Sequence, residues 1–302
     1  MTPWTGRWFV RWKMTKTIHS FKARKEFPDN PYKELYIYYL HGRLKPGDKI
    51  CGSDFIGNWQ EDDFSFLFFS KPSPDEVSKI LSSNSSLALL DEFHMTYDQW
   101  QGGKTAQEKI GRFVIVPPWR KNGKKMNFCH EELTILLDPG VVFGNGLHTT
   151  TRDCLEALEM VFLRDRIESA IDIGTGTGIL ALAASLLGCR KTLAVDFNLL
   201  AAKTALRNVR INRLENRILI TQGRAKDFVD SPSELVIANI HYDVMKHLIA
   251  SRSFYNKKWF ILSGLLRSQA RDVSFNLSQN RINIIKTWER DGIWHTFLGK
   301  KG

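Results

Sequence analysis

From about residue 131 the chain alternates short, nearly unbroken apolar runs with longer stretches whose apolar residues recur every three or four positions. The runs "SAIDI", "KTLAVD", "SELVIANI" and "KKWFILSGL" have the length and β-branched content of buried strands. Between them, "TRDCLEALEMVFL" sets Leu155, Leu158, Val161 and Phe162 at helical spacing. "ILALAASLLG" predicts a helix ending on Gly188, and "NLLAAKTALRNVRIN" a helix capped by Asn198. This alternation predicts an α/β domain with a mostly parallel sheet covered by helices on both faces.

Upstream the texture differs. "YKELYIYYL" and "DDFSFLFFS" are rich in aromatic and β-branched residues and read as strands. "PSPDEVSKILSSN" opens on proline and carries Val77, Ile80 and Leu81 on one face, which predicts a short helix before the apolar run at 87–90. These pieces make a smaller α+β domain whose aromatics are read as core. A polar connector with the strand-like "RFVIVPPW" follows and ends on a double proline. The expected division is 1–105 for the N-terminal domain, 106–130 for a linker and 131–302 for the α/β domain.

Composition narrows the class only slightly. Hydrophobic residues make up 43% and charged residues 25% of 302, ordinary for a globular protein. No apolar run approaches the ~18 residues of a membrane span. Cys51, Cys129, Cys154 and Cys189 form no CxxC pair, which argues against a zinc knuckle or disulfide framework and for a reduced, cytoplasmic setting. The net charge is +11, and the first 25 residues hold seven basic side chains and no acid. Such an arm suits a nucleoprotein surface, or it is a plain solvated tail, and Met14 is a second candidate start.

The first pattern with chemical content is "IDIGTGTGILA". A buried strand stops at Gly174, and Gly174, Gly176 and Gly178 let a ligand approach the backbone before a helix N-terminus rich in free N–H groups. Asp172 precedes the loop. Asp196 ends the next strand, where a carboxylate can accept from both hydroxyls of a ribose. A nucleoside-containing ligand follows. Its class stays open at this point, because Gly176, Gly178 and Ala181 also satisfy the dinucleotide pattern with Asp196 about 20 residues on. An NAD-dependent dehydrogenase is therefore a rival, as is a non-catalytic binding module.

"LDPGVVFGNGLHTTTRDCLEALE", "IDIGTGTGILALAA", "LVIANI", "ILSGLLRSQARDV" and "GIWHTFLGKK" together resemble the ribosomal protein L11 methyltransferases, in order, across roughly 131–302. The resemblance implies a Rossmann-like seven-stranded sheet with its last strand antiparallel, and S-adenosylmethionine as cofactor. It assigns Asp172, Gly174, Gly176 and Gly178 to the cofactor-binding loop, with Gly174 and its neighbours facing the methionine part, Asp196 to the ribose, and Asn239 and Thr151 to the cofactor. Phe143, from its place in the same stretch, can offer an apolar face to adenine or the methyl site, with core packing as the alternative. Asn239 is also the candidate catalytic residue, orienting the accepting amine, with a plain helix N-cap as its bland alternative. No general base stands out. Asn145 and Thr149 depart from the family's usual threonine and proline. His148 is read as lining the site, His241 and His247 as surface or packing residues, and "CHEE" at 129–132 as no metal site.

The implied reaction is methyl transfer to lysine side chains and/or the N-terminal amine of a protein, first of all ribosomal protein L11, or else of another protein. The resemblance makes the N-terminal domain the substrate-recognition part. It further suggests a cytoplasmic monomer with indirect rRNA contact through the basic arm.

Overall fold

The computed structural model describes residues 32–45, 48, 50, 52–61, 63–103, 107–121, 131–142, 144, 146 and 148–302. The basic arm, Met14, Cys51, Cys129, His130, Phe143 and Asn145 lie outside the described residues. These residues fall into two compact units, at 32–103 and 107–302.

The smaller unit contains β1 (Glu34–His41), β2 (Phe55–Glu61), β3 (Phe64–Phe69), α1 (Pro74–Ser83), β4 (Ala88–Thr96) and α2 (Tyr97–Trp100). Its antiparallel sheet has the order β2-β3-β1-β4. The expected α1 packs Val77 and Ile80 onto Tyr38, Leu40, Leu67 and Phe69, so these aromatics are core. α2 is a single turn closed by a capping box between Thr96 and Gln99.

The larger unit opens with a three-stranded sheet of β5 (Glu108–Ile110), β6 (Phe113–Val116) and β7 (Leu133–Leu136). Two of these strands lie inside the span read as a linker. They belong to this unit because β6 pairs with β7 in parallel, burying Phe113 and Ile115 on the main core. Local composition could not reveal that partner, which comes about 20 residues later.

Next come α3 (Thr149–Arg164), β8 (Ser169–Ile173), α4 (Ile179–Leu186), β9 (Lys191–Asp196), α5 (Leu199–Ile211), β10 (Ile218–Gln222), β11 (Leu235–Asn239) and α6 (Tyr242–Ile249). β12 (Trp259–Leu266), α7 (Arg267–Gln279), β13 (Ile282–Arg290) and β14 (Trp294–Lys301) complete the unit. The seven-stranded order is β10-β9-β8-β11-β12-β14-β13. The last strand, β14, inserts between β12 and β13 and runs antiparallel to both, as the family resemblance implied.

Burial on two faces explains the unbroken apolar runs. In β11, Leu235 and Ile237 face the core under α3, α4 and α5, while Val236 and Ala238 face the core under α6 and α7. In β12, Trp259 and Ile261 divide from Phe260 and Leu262 in the same way. Cys154 and Cys189 are fully buried core residues, and burial pushes both thiols up. No helix among the described residues is long and apolar enough to cross a membrane.

One ion pair ties α3 to the far edge of the sheet. Asp153 is 0% exposed, and its Oδ1 accepts from Arg290 Nε at 2.9 Å and Nη2 at 2.7 Å. Burial raises the Asp153 carboxyl, and Arg290 offsets this. Arg290→Met strands a buried carboxylate and should lower stability by about 2–4 kcal/mol in urea unfolding. Asp153→Asn in the same chain should recover part of that loss.

Candidate functional site

The carboxyl ends of β8, β9, β11 and β12 lie side by side, with Ile173 beside Val195 and Asn239 beside Ser263. This is the edge at which open α/β sheets bind ligands. Gly174, Gly176 and Gly178 all have positive φ, at 73°, 55° and 85°. Gly174 also allows a close approach, because a Cβ there would overlap Ile240, the residue after Asn239. The strand-to-glycine stop and the "ANI" stretch thus fit together across β8 and β11.

Asp172 serves this loop from below. It is 1% exposed, and its carboxylate accepts from the Thr175 hydroxyl at 2.6 Å and from the Ala181 N–H in the first turn of α4. Gly178, the N-cap, has no side chain to cap with, so the strand residue takes over that task. Burial pushes the Asp172 carboxyl up to about 7, against those two donors, with Asp196 adding repulsion. Asp172 is therefore a loop-holding residue.

Asp196 is half-buried. It accepts from the Gly176 N–H and the Asn198 N–H, each at 2.9 Å. Burial raises its carboxyl, and these backbone donors hold it down. Both oxygens are thus anchored, with further lone pairs left for hydroxyl donors. Phe197, which the sequence reading passed over, follows directly and is 60% exposed, its ring 6.0 Å from the Arg224 guanidinium. An aromatic directly after a strand-end acid is a signal visible in the sequence.

The glycine-rich stretch from Asp138 forms the opposite wall. The buried Asn208 of α5 donates to Asp138 O and Thr177 O and accepts from Asp138 N, each at 2.9 Å. Asn212, one turn on, pairs in the same way with the N–H and C=O of Leu136. Two side-chain amides therefore act as rungs for the end of β7. Thr177 Oγ1 closes the link by donating to Gly144 O at 2.6 Å. Asp138 is buried and paired with Arg207 at 2.8 Å.

The helix-opening threonines occupy the first turn of α3, but the N-cap is His148, whose Nδ1 accepts from Thr150 N. His148 is exposed. Asn239 ends β11, half-buried, and its Nδ2 donates to Thr150 Oγ1 at 3.3 Å. The structure thus brings Thr150 against Asn239, while Thr151 is buried in the same turn. Asn239 is not a helix cap, since His241 is the N-cap of α6. His241 and His247 are exposed, and no cluster of three or more potential metal ligands occurs among the described residues.

Glycine backbone, a helix N-terminus, an anchored acid and an orientable amide can together hold a nucleoside with a charged tail.

The family model described as Ribosomal protein L11 methyltransferase (PrmA) matches residues 95–302. The chain is 34% identical over 246 residues to the ribosomal protein L11 methyltransferase of Alkaliphilus oremlandii, covering 76% of each. It is 35% identical over 191 residues to the protein so named in Clostridium botulinum (strain Eklund 17B / Type B), covering 63% of this chain and 58% of that one. The crystal structure of a ribosomal protein L11 methylase from Lactobacillus delbrueckii subsp. bulgaricus superposes with a TM-score of 0.54 at 26% identity, over 64% of this chain and 96% of that one.

Folding raises the Asp172 pKa, so the native chain binds more protons than the unfolded chain between about pH 4 and pH 7. Its contribution to stability accordingly falls as pH rises through that window. Asp172→Asn keeps an acceptor for Thr175 and removes the titration. Unfolding free energies should shift in the variant's favour across that window, on the order of 2–4 kcal/mol.

Proposed function

The chain belongs to the ribosomal protein L11 methyltransferase family, and on that premise we propose that it transfers methyl groups from S-adenosylmethionine to amino groups of a protein. The acceptors are lysine side chains, the N-terminal amine, or both, and the protein is ribosomal protein L11. The observation that carries this reading is the convergence of the glycine loop, Asp196 and Asn239 at adjacent strand ends.

When bound, S-adenosylmethionine supplies a methyl group made electrophilic by a sulfonium. The residues here fit it. The backbone of Gly174 to Gly178 and the N-terminus of α4 would receive the methionine carboxylate. Asp196 would accept from the ribose hydroxyls, and Phe197 would lie along adenine. Thr151 belongs to the same proposal on the family resemblance, and Phe143, among the residues not described, on its place in the glycine-rich stretch.

A lysine amine, with an ordinary pKa of about 10.4, must be neutral to attack. Proximity to positive charge at the donor disfavours the ammonium, so the proton can leave to solvent without a dedicated base. Asn239 would orient the amine. Holding the two reactants in line supplies several kcal/mol of the barrier.

The smaller unit is proposed to hold the protein substrate. Its edge strand β4 leaves Leu89, Leu90 and Phe93 exposed beside Asp91 and Glu92, an apolar and acidic surface suited to a lysine-bearing partner. A monomeric, cytoplasmic enzyme completes the proposal.

Incubation with labelled S-adenosylmethionine and purified ribosomal protein L11 should label the protein at amino groups, read by mass spectrometry. Label in RNA or a small molecule alone would overturn the substrate class. Asp196→Ala should weaken S-adenosylmethionine binding about 10- to 100-fold by calorimetry. Asn239→Ala should lower kcat by about 100-fold or more. Normal turnover and unchanged cofactor affinity in that variant would remove Asn239 from the machinery.

A further inference from the structure

The strands that meet at the candidate site begin over a second opening. A groove of about 770 Å³ lies at the amino ends of β8, β9, β10 and β11, lined by residues at or just before each strand's start, among them Glu168, Arg190, Lys191, Asn216, Arg217 and Ser233. β8 is five residues long, so roughly 17 Å of sheet separates the groove from the glycine loop.

Its charge is uneven. Residues 200–218 hold Lys203, Arg207, Arg210, Arg213 and Arg217 against one acid, Glu215. Lys203, Arg207 and Arg210 recur at helical spacing on the face of α5 turned away from the core, about 5–6 Å apart. Arg213 and Arg217 follow its C-cap, and Arg217 lines the groove. The two acids in the lining are already engaged. Glu234 Oε2 accepts from the Glu168 and Ser169 N–H groups at 2.6 and 3.2 Å. Glu168 accepts from Arg166 Nε at 2.6 Å and lies 3.5 Å from Arg190 Nε. Both guanidiniums are thus held by one edge, with their terminal N–H groups left to donate.

Arg217 gives one donor to Ser185 O near the end of α4, at 3.2 Å, and Arg210 lies in the last turn of α5, placements that suit any helix C-terminus. Arg190 is held by Glu168 and Lys191 starts β9, so helix ends account for neither. The lining also discriminates among anions. A single nucleotide needs an aromatic or apolar platform for its base, and a protein partner an apolar core to the contact. Pro232 is the one apolar side chain in the lining among the described residues. Arginines in a row beside an open polar groove suit a chain of phosphates held without reading the bases. Asn216, and Ser233 with a hydroxyl that has no partner among the described residues, add groups of the kind that meet 2′-hydroxyls.

We propose that this groove binds the phosphodiester backbone of single-stranded RNA. Nucleotides held there lie at the far end of the sheet from the glycine loop, so they anchor the protein and accept no methyl group, and RNA and cofactor bind without competing. The proposal stands whether or not the chain methylates a protein.

The test is binding of a fluorescein-labelled oligouridine of about 20 nucleotides to the full chain, read by anisotropy across a salt series. Near physiological salt the dissociation constant should fall at about 1–100 µM. Arg190→Ala, Lys191→Ala and Arg213→Ala together should weaken binding about 10-fold or more and lower the slope of log affinity against log salt by about 2. Tm and S-adenosylmethionine affinity should stay near wild type. A wild-type chain that binds no RNA at low salt, or a triple variant that binds as well as wild type, would overturn the proposal. An equal loss from Arg267→Ala, Arg271→Ala and Lys286→Ala, on α7 and β13, would make net charge the cause and remove the groove. Displacement of the RNA by polyglutamate at equal charge would assign the groove to an acidic protein instead, and tighter binding of a DNA oligomer of the same length would assign it to DNA. Hydrogen–deuterium exchange on the wild-type chain needs no variant. RNA should slow exchange at 166–169, 190–191 and 213–217, and protection confined to other segments overturns the site.

Discussion

Asn208 is the contact on which the geometry of the site depends. Its one side chain bonds both backbone groups of Asp138 and the carbonyl of Thr177. The glycine-rich stretch and the glycine loop therefore cannot separate without leaving buried polar groups unpaired, each at a cost of about 1–3 kcal/mol. Asn212 extends the grip to Leu136. Helical spacing puts the two amides one turn apart, on α5 and at its C-cap, and strand spacing presents the same backbone edge at residues 136 and 138. The match of the two periods allows a helix to stand in for a missing neighbouring strand.

With those walls set, charge is distributed around the loop in an unusual way. Asp172 and Asp196 are both raised by burial, and each is satisfied chiefly by backbone N–H groups or a hydroxyl rather than by a basic side chain. Asp196, held in this way, keeps lone pairs for hydroxyl donors of a ligand. Asp138 and Asp153 contrast with them. Those acids are also buried, but each is matched to an arginine and so holds elements together.

Much of this could be read in advance because each signal was local. Gly174 to Gly178 and Asp196 lie on one strand–loop–helix–strand unit, and Asn198 capped its helix as its position suggested. Other features needed partners far along the chain. The strand-like β6 and its partner β5 fall in the stretch assigned to the connector, because β7, which ties β6 to the larger unit, comes later. His148, not a threonine, caps α3, since its ring can reach the Thr150 N–H. Asn208 looked like one polar residue in an amphipathic helix, and nothing nearby indicated that it faced the backbone of residue 138.

The sequence by itself determined the alternation of strands and helices, the glycine loop with its acid, and the family, because burial periodicity and glycine spacing are properties of short segments. Tertiary structure decided which threonine meets Asn239, that Asp172 caps α4, and that Trp294 backs His148. Those relations join residues that are near in space and distant in sequence. The inserted antiparallel β14 brings Trp294 to the strand ends, and only the folded sheet puts it beside a loop that comes well over a hundred residues earlier.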